Sequence, residues 1–288
     1  MNNLSKIISG TMNWGVWGKD LSETLMTELI EKSVSLGINT FDHADIYGGY
    51  TTEKTFGSAL SLSEIKRESI FLLSKCGIQY PSKNRPLKVK YYDYSKEHIR
   101  FSVENSLKNL KTDYLDILLL HRPSPLMKVN EISDEINKLK EEGKIKSFGV
   151  SNFTNSQIKL ISKQTKVLWN QIEFSLTHNH SMIDGSLDYL QNNNIGVMAW
   201  SPLGSFFKEK NEKQKRIATL FNELSEKYNC TYDQLLLAWI LKHPSNIYPI
   251  IGTTNNKRLE LAVKAIKINL EIEDWFLILK ASDGRRVP

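Results

Sequence analysis

Apolar and polar positions along the chain follow two alternating periods. Short β-branched or leucine-rich runs fall at residues 6–9, 39–42, 70–74, 115–120, 145–150, 167–172, 197–200 and 247–251. Several are apolar throughout, as in Ile117-Leu118-Leu119-Leu120, the pattern of a strand covered on both faces. Between them lie longer stretches with apolar residues every three or four positions. Ile99, Val103, Leu107 and Leu110 form one such stripe, with Ser95 placed to cap its helix. Thr154-Asn155-Ser156-Gln157 and Thr231-Tyr232-Asp233-Gln234 fit the capping-box pattern. Gly37 and Gly143 sit where helices should stop, just before the next strand.

Eight strand–helix alternations without a break predict an α/β fold of the (β/α)8 TIM-barrel type. An open doubly wound sheet would be expected to carry a Gly-x-Gly-x-x-Gly turn after an early strand, and neither that turn nor a Walker pattern occurs. No Gly/Ser-rich or Pro-rich seam divides the chain, so a single domain over residues 1–288 is expected.

Composition narrows the setting. Of 288 residues, 40% are apolar and 24% charged, which places the chain with folded globular proteins and excludes a disordered one. The net charge of +6 comes from lysines scattered among acids, compatible with an anionic ligand but not the patch that nucleic acid requires. Two cysteines, Cys76 and Cys230, exclude a disulfide framework and a zinc site built from three or four thiolates. The first ten residues lack an apolar core behind a basic start. The longest apolar run, residues 235–241, is far short of the ~20 residues of a membrane helix. A soluble, cytoplasmic protein is expected, with no membrane or nucleic-acid partner and a monomer as the default state.

In a barrel, polar residues at the C-terminal ends of the strands are the functional candidates. Those ends read Asp42-His43-Ala44-Asp45-Ile46-Tyr47, Ser74-Lys75-Cys76, His121-Arg122-Pro123, Ser151-Asn152, Asn170-Gln171, Trp200-Ser201-Pro202 and Gly252-Thr253-Thr254-Asn255-Asn256-Lys257-Arg258. An Asp, a Tyr, a Lys and a His thus share one rim. A phenol with its usual pKa near ~10 is a slow acid at neutral pH, and a neighbouring ammonium favours its ionised form. A carboxylate would hold that ammonium, and a histidine could orient a carbonyl oxygen. No nucleophilic Ser or Cys stands beside a base, so acyl transfer is not favoured.

The residues that carry this pattern resemble the aldo-keto reductases. Gly10-Thr11-Met12-Asn13-Trp14-Gly15, Phe41-Asp42-His43-Ala44-Asp45-Ile46-Tyr47-Gly48, Ser74-Lys75, Asp116-Ile117-Leu118-Leu119-Leu120-His121, Gly149-Val150-Ser151-Asn152-Phe153 and Asn170-Gln171-Ile172-Glu173 match in order over nearly the whole chain. The run from Asp42 to Tyr50 and the closing Arg286-Val287-Pro288 look most like a bacterial oxidoreductase subgroup of that family. The resemblance implies reduction of an aldehyde or ketone to an alcohol by hydride from NADPH, with NADH weaker and no metal. It implies Asp42, Tyr47, Lys75 and His121 as a catalytic tetrad, with Tyr47 donating the proton, Lys75 lowering its pKa and Asp42 anchoring Lys75.

For the cofactor, the resemblance implies Ser151, Asn152 and Gln171 at the carboxamide and Trp200 stacked on the nicotinamide. Ser201, Leu203, Gly252, Thr253, Thr254, Asn255 and Arg258 complete the set, with Arg258 at the 2′-phosphate. The chain departs from many members in having Gly252 where they carry a lysine, one cation fewer for telling NADPH from NADH. Trp14 and Trp17, after the first strand, are expected at the substrate pocket, and Tyr80, Tyr91, Tyr92, Phe206 and Phe207 make the surrounding loops aromatic. Small aldehydes, ketones, quinones or dicarbonyls are the expected substrates.

Plainer readings stand beside these. Asp42 and Lys75 could be a structural ion pair, and Cys76 reads as a small buried residue rather than a reactive thiol. His178-Asn179-His180 reads as a solvated loop rather than a metal site. A cofactor-binding barrel that senses redox state without turnover is the main alternative function, and a metal-assisted hydrolase is a second.

Overall fold

The eight apolar runs pair edge to edge in the computed structural model, which describes residues 3–286. Val287 and Pro288 of the closing motif lie outside the described residues. In chain order the strands are β1 (Ile8–Gly10), β2 (Thr40–Asp42), β3 (Phe71–Cys76), β4 (Ile78–Gln79), β5 (Tyr91–Tyr92), β6 (Leu115–Leu120), β7 (Ile145–Ser151), β8 (Trp169–Glu173), β9 (Gly196–Trp200) and β10 (Ile247–Ile251). All except β4 and β5 close into a parallel barrel, in the order β1-β2-β3-β6-β7-β8-β9-β10 and back to β1. The expected (β/α)8 barrel is therefore the fold. None of the described helices is long and apolar enough to cross a membrane.

The double-sided strand pattern has a direct counterpart in packing. Ile117 and Leu119 of β6 point into the barrel with Ile8, Leu73, Trp169 and Met198, whereas Leu118 and Leu120 join the larger core beneath the helices. Helix boundaries follow the capping signals. Ser95 accepts from the His98 N–H at the start of the helix Lys96–Leu110. Thr154 and Gln157 exchange both bonds of a capping box ahead of the helix Asn155–Ser162. Gly37 and Gly143 lie just past helix ends at φ +83° and +74°, a left-handed conformation that costs a residue without Cβ least.

The strands differ from the apolar runs mainly at their C-terminal ends. β3 continues through Lys75 and Cys76, β7 through Ser151 and β8 through Glu173. Main-chain pairing persists where apolarity stops, because the ladder is indifferent to side-chain polarity. That extension is what presents polar side chains at the rim. The short antiparallel pair β4–β5, with Ile78 opposite Tyr92, is an addition that the sequence pattern does not predict. It folds the segment between β3 and the helix Lys96–Leu110 against the barrel mouth.

Candidate active site

Asp42 is the last residue of β2, Lys75 the penultimate residue of β3, and His121 follows β6 directly. Parallel register sets Asp42 opposite Leu73, and Lys75 opposite Leu119, so the three meet at one end of the barrel. Tyr47 reaches them from the turn after β2, its N–H bonded to the Ala44 carbonyl. Lys75 Nζ lies 2.7 Å from Asp42 Oδ1 and donates to the Tyr47 hydroxyl at 2.9 Å and to the His43 carbonyl at 2.8 Å. The Lys75 side chain is 0% exposed and that of Asp42 4%. The ammonium thus has a partner for each of its three protons in a dry site.

Charge within this cluster is set by a contest between burial and pairing. Burial works to lower the Lys75 pKa, but Asp42 and then Tyr47 outweigh it and hold the lysine above its usual range. Burial pushes the Tyr47 phenol up, and the Lys75 ammonium opposes that rise without cancelling it. The direction of the Lys75 effect is the expected one. Lys75 acts in the lowering direction, and the phenol is still raised overall because desolvation is the larger effect. Burial, followed by Lys75 and Arg122, holds His121 well below its usual range, hence neutral. Its Nδ1 is buried without a hydrogen-bond partner, and its ring meets the Tyr47 ring edge-on at 6.2 Å.

The second set of predicted residues joins the first through hydrogen bonds. Gln171 Nε2 donates to Asp42 Oδ1 at 2.8 Å, and Ser151 Oγ donates to the Gln171 carbonyl at 3.0 Å. Asn152 Nδ2 donates to Ser151 Oγ at 2.8 Å, while Asn152 Oδ1 accepts from Trp200 Nε1 at 3.0 Å. A continuous chain therefore runs from Tyr47 through Lys75, Asp42, Gln171, Ser151 and Asn152 to Trp200. Asn152 and Ser201 hold left-handed φ values of +61° and +51°, uncommon for residues with a Cβ and frequent at ligand sites.

Nicotinamide recognition is compatible with these contacts. Each amide side chain has two N–H donors and two acceptor lone pairs, and Asn152 uses one of each internally. Leu203 is half-buried and Gly252 exposed. After β10, Thr253 Oγ1 accepts from the Asn255 N–H, and Asn255 Oδ1 caps the helix Asn256–Ala265 through the Arg258 N–H. Thr254 is half-buried. The Arg258 side chain is exposed in the first turn of that helix, where a guanidinium and the helix terminus both favour an anion.

Two aromatic expectations need correction. Trp14 does not line a pocket: it is 0% exposed, and its ring packs on Phe41 and Phe56 in the core. The turn after β1 folds inward, carrying Trp14 beneath the rim and leaving Trp17 above it. Trp17 is 38% exposed, 6.2 Å from the Tyr47 ring and 5.1 Å from the Tyr80 ring, so it does stand at the mouth. Phe206 is likewise buried, against Phe221 and Tyr232 of the helices Glu212–Lys227 and Tyr232–Leu241. Cys76 is buried, and desolvation followed by the Asp45 and Glu53 charges raises its pKa, the opposite of a reactive thiol.

Some site residues carry no signal that residue type could reveal. The His43 carbonyl that receives Lys75 is main chain, and Thr11 fixes the same residue by approaching His43 Nδ1 at 2.9 Å. Burial and then Lys75 push the His43 imidazole down to about 3, so it is a neutral structural ring. Asp45 is a further surprise. It is buried, and burial and then the Glu53 carboxylate push it up to about 8, against smaller opposing pulls from Arg85, the Ser102 hydroxyl and the Ile46 N–H.

A carboxyl with a raised folded-state pKa stabilises the fold relative to its ionised form below its unfolded pKa of ~4, and that contribution is lost as pH rises through about 8. Asp45→Asn, which removes the titration and keeps the shape, is therefore expected to gain on the parent protein as pH rises. The gain between pH 5 and pH 8 should be on the order of 3–4 kcal/mol in urea unfolding. Parallel stability profiles for the two proteins would contradict this origin.

Comparison with known proteins follows the same lines. The Aldo/keto reductase family description matches residues 6–283. The chain is 41% identical to the uncharacterized oxidoreductase YcsN of Bacillus subtilis, covering 99% of this chain and 96% of that protein. It is 35% identical to a 6-dehydroglucose reductase of Agrobacterium fabrum, covering 99% and 96%. A thermostable aldo-keto reductase, solved in complex with the inhibitor epalrestat, superposes with a TM-score of 0.81 at 25% identity, covering 96% of this chain and 95% of that one.

Proposed function

The chain belongs to the aldo/keto reductase family and is therefore an oxidoreductase; from that premise we propose that it reduces an aldehyde or ketone to the alcohol, using NADPH and with Tyr47 as the proton donor. The observation that carries the reading is the Lys75 ammonium, dry and held between Asp42 and the Tyr47 hydroxyl. When bound, the reduced cofactor supplies the hydride. Tyr47 Oη gives its proton to the carbonyl oxygen as negative charge gathers there, and Lys75 stabilises the phenolate that remains. Asp42 keeps Lys75 protonated and fixed, with Gln171 as the second partner of its Oδ1. His121, neutral, donates a hydrogen bond to the same oxygen and so orients it.

Ser151, Asn152 and Gln171 hold the carboxamide, and Trp200 offers its ring face to the nicotinamide. Ser201, Leu203 and Gly252 border the cofactor, and Thr253, Thr254, Asn255 and Arg258 take its 2′-phosphate end. The substrate is a small-molecule carbonyl compound. A sensing barrel without turnover has no need for a proton donor, which favours the reductase.

Binding of NADPH and NADH, followed by quenching of tryptophan fluorescence, and loss of reduced-cofactor absorbance with an aldehyde panel test the reading directly. Failure to bind either cofactor would overturn it. Arg258→Ala should weaken NADPH about tenfold or more while leaving NADH nearly unchanged, the loss of a charge-assisted bond to one phosphate. Equal weakening of both would remove Arg258 from the 2′-phosphate.

A further inference from the structure

Arg122 follows His121 just past the end of β6, and its guanidinium lies over the Trp200 ring, 5.5 Å from the centroid. Trp200 in turn is fixed by the bond from its Nε1 to Asn152 Oδ1. We propose that Arg122 discriminates between the two redox forms of the cofactor, lowering the affinity for the oxidised form relative to the reduced one. This rests on the reading that Trp200 carries the nicotinamide.

The position of Arg122 is set through its main chain. Its N–H donates to the Tyr94 hydroxyl, which donates in turn to the Arg122 carbonyl. Tyr94 is buried, its ring packed so closely on Gly77 that a Cβ there would come within 2.0 Å of it. The side chain is left uncompensated. Half-buried arginines elsewhere face acids: Arg67 lies 2.7 Å from Asp116, and Arg100 lies 2.7 Å from both Glu135 and Glu142. Among the described residues the half-buried Arg122 guanidinium has neither an ion pair nor a hydrogen bond. Arg122 and Trp200 line a polar cleft of about 730 Å³ that also holds Glu173, His178 and His180, yet Glu173 approaches His178 Nε2, at 3.9 Å, rather than Arg122.

The charge of that guanidinium reaches the reacting groups. After burial and Lys75, Arg122 is the next influence holding the His121 imidazole down. Behind Lys75 it also opposes the effect of burial on the Tyr47 phenol. A cation so placed acts differently on the two cofactor forms. The reduced nicotinamide ring is uncharged and the oxidised ring is a pyridinium cation, whereas the carboxamide, phosphates and adenosine are common to both. An aromatic face attracts a cation, so Trp200 alone would favour the oxidised ring. With Arg122 already over Trp200, the pyridinium meets a like charge in a half-buried site, and that advantage is reversed. An anion-binding role for Arg122 would act on groups that both forms share, and would leave their ratio unchanged.

Calorimetric titration of the full chain with NADPH and with NADP+, without carbonyl substrate, tests the assignment. Arg122→Gln should tighten NADP+ about threefold to tenfold and leave NADPH within about twofold. Arg122→Lys, which keeps the charge, should keep most of the parent ratio of the two dissociation constants. Arg122→Met supplies a second uncharged side chain and should shift the ratio as Arg122→Gln does. The bonds to Tyr94 use the main chain alone, so all three variants retain them. An unchanged ratio in both uncharged variants, or an equal change for both cofactor forms, would overturn the role of Arg122 while leaving the reductase reading intact. Disagreement between Arg122→Gln and Arg122→Met would place the effect in packing and overturn it as well. A parent protein that binds neither form would overturn the cofactor reading itself, and this inference with it.

Discussion

Tyr47→Phe is expected to lower carbonyl reduction by about two to four orders of magnitude, the range a positioned general acid contributes, while cofactor binding stays close to that of the parent. The substitution removes one oxygen and keeps the ring that packs between Trp17 and His121. Lys75 loses a single hydrogen bond and keeps Asp42 and the His43 carbonyl, so its charge remains compensated. The stability cost is that of one buried hydrogen bond, about 1 kcal/mol. Steady-state rates, together with cofactor titration of the same variant, separate the two effects. A variant within a few-fold of parent turnover would take the acid role away from Tyr47. The pH profile adds a second check. Because burial outweighs Lys75 and keeps the phenol raised, reduction by the parent protein should persist into mildly alkaline pH.

Much of this site was legible because a barrel converts sequence order into position. Each apolar run had to be a strand, each strand had to run the same way, and the polar residues at the C-terminal ends then had to share one rim. Asp42, Lys75, His121, Ser151 and Gln171 all follow from that rule, and their side chains do converge. What escaped has physical reasons. Trp14 and Trp17 are three residues apart in one turn with the same side chain, and which faces the core depends on how the turn folds over Phe41 and Phe56. The acceptor for Lys75 on His43 is a carbonyl that every residue possesses. The direction of the Tyr47 shift depends on how much water reaches the phenol, which only packing determines. His178 and His180 read correctly as a polar loop, but the cleft they border is made by distant elements, with Arg122 after β6 and Asp184 before the helix Ser186–Asn192.

The same dry environment that sets the chemistry should make Lys75 the most structurally sensitive member of the cluster. Lys75→Met keeps the length of the side chain and removes its charge, leaving the Asp42 carboxylate buried with the Gln171 amide as its remaining side-chain donor. An uncompensated buried charge of this kind costs about 3–5 kcal/mol, far more than the packing change from lysine to methionine. Urea unfolding should therefore show a large loss for Lys75→Met. The double variant Asp42→Leu/Lys75→Met should recover part of it, because replacing both members of a buried pair by apolar residues removes the stranded charge along with the bond. Reduction of the aldehyde panel should be lost in both variants. A double variant less stable than Lys75→Met alone would place the cost in packing rather than charge. Recovery of stability without recovery of turnover would show the ion pair to be kept for its chemistry, since the barrel folds well enough without it.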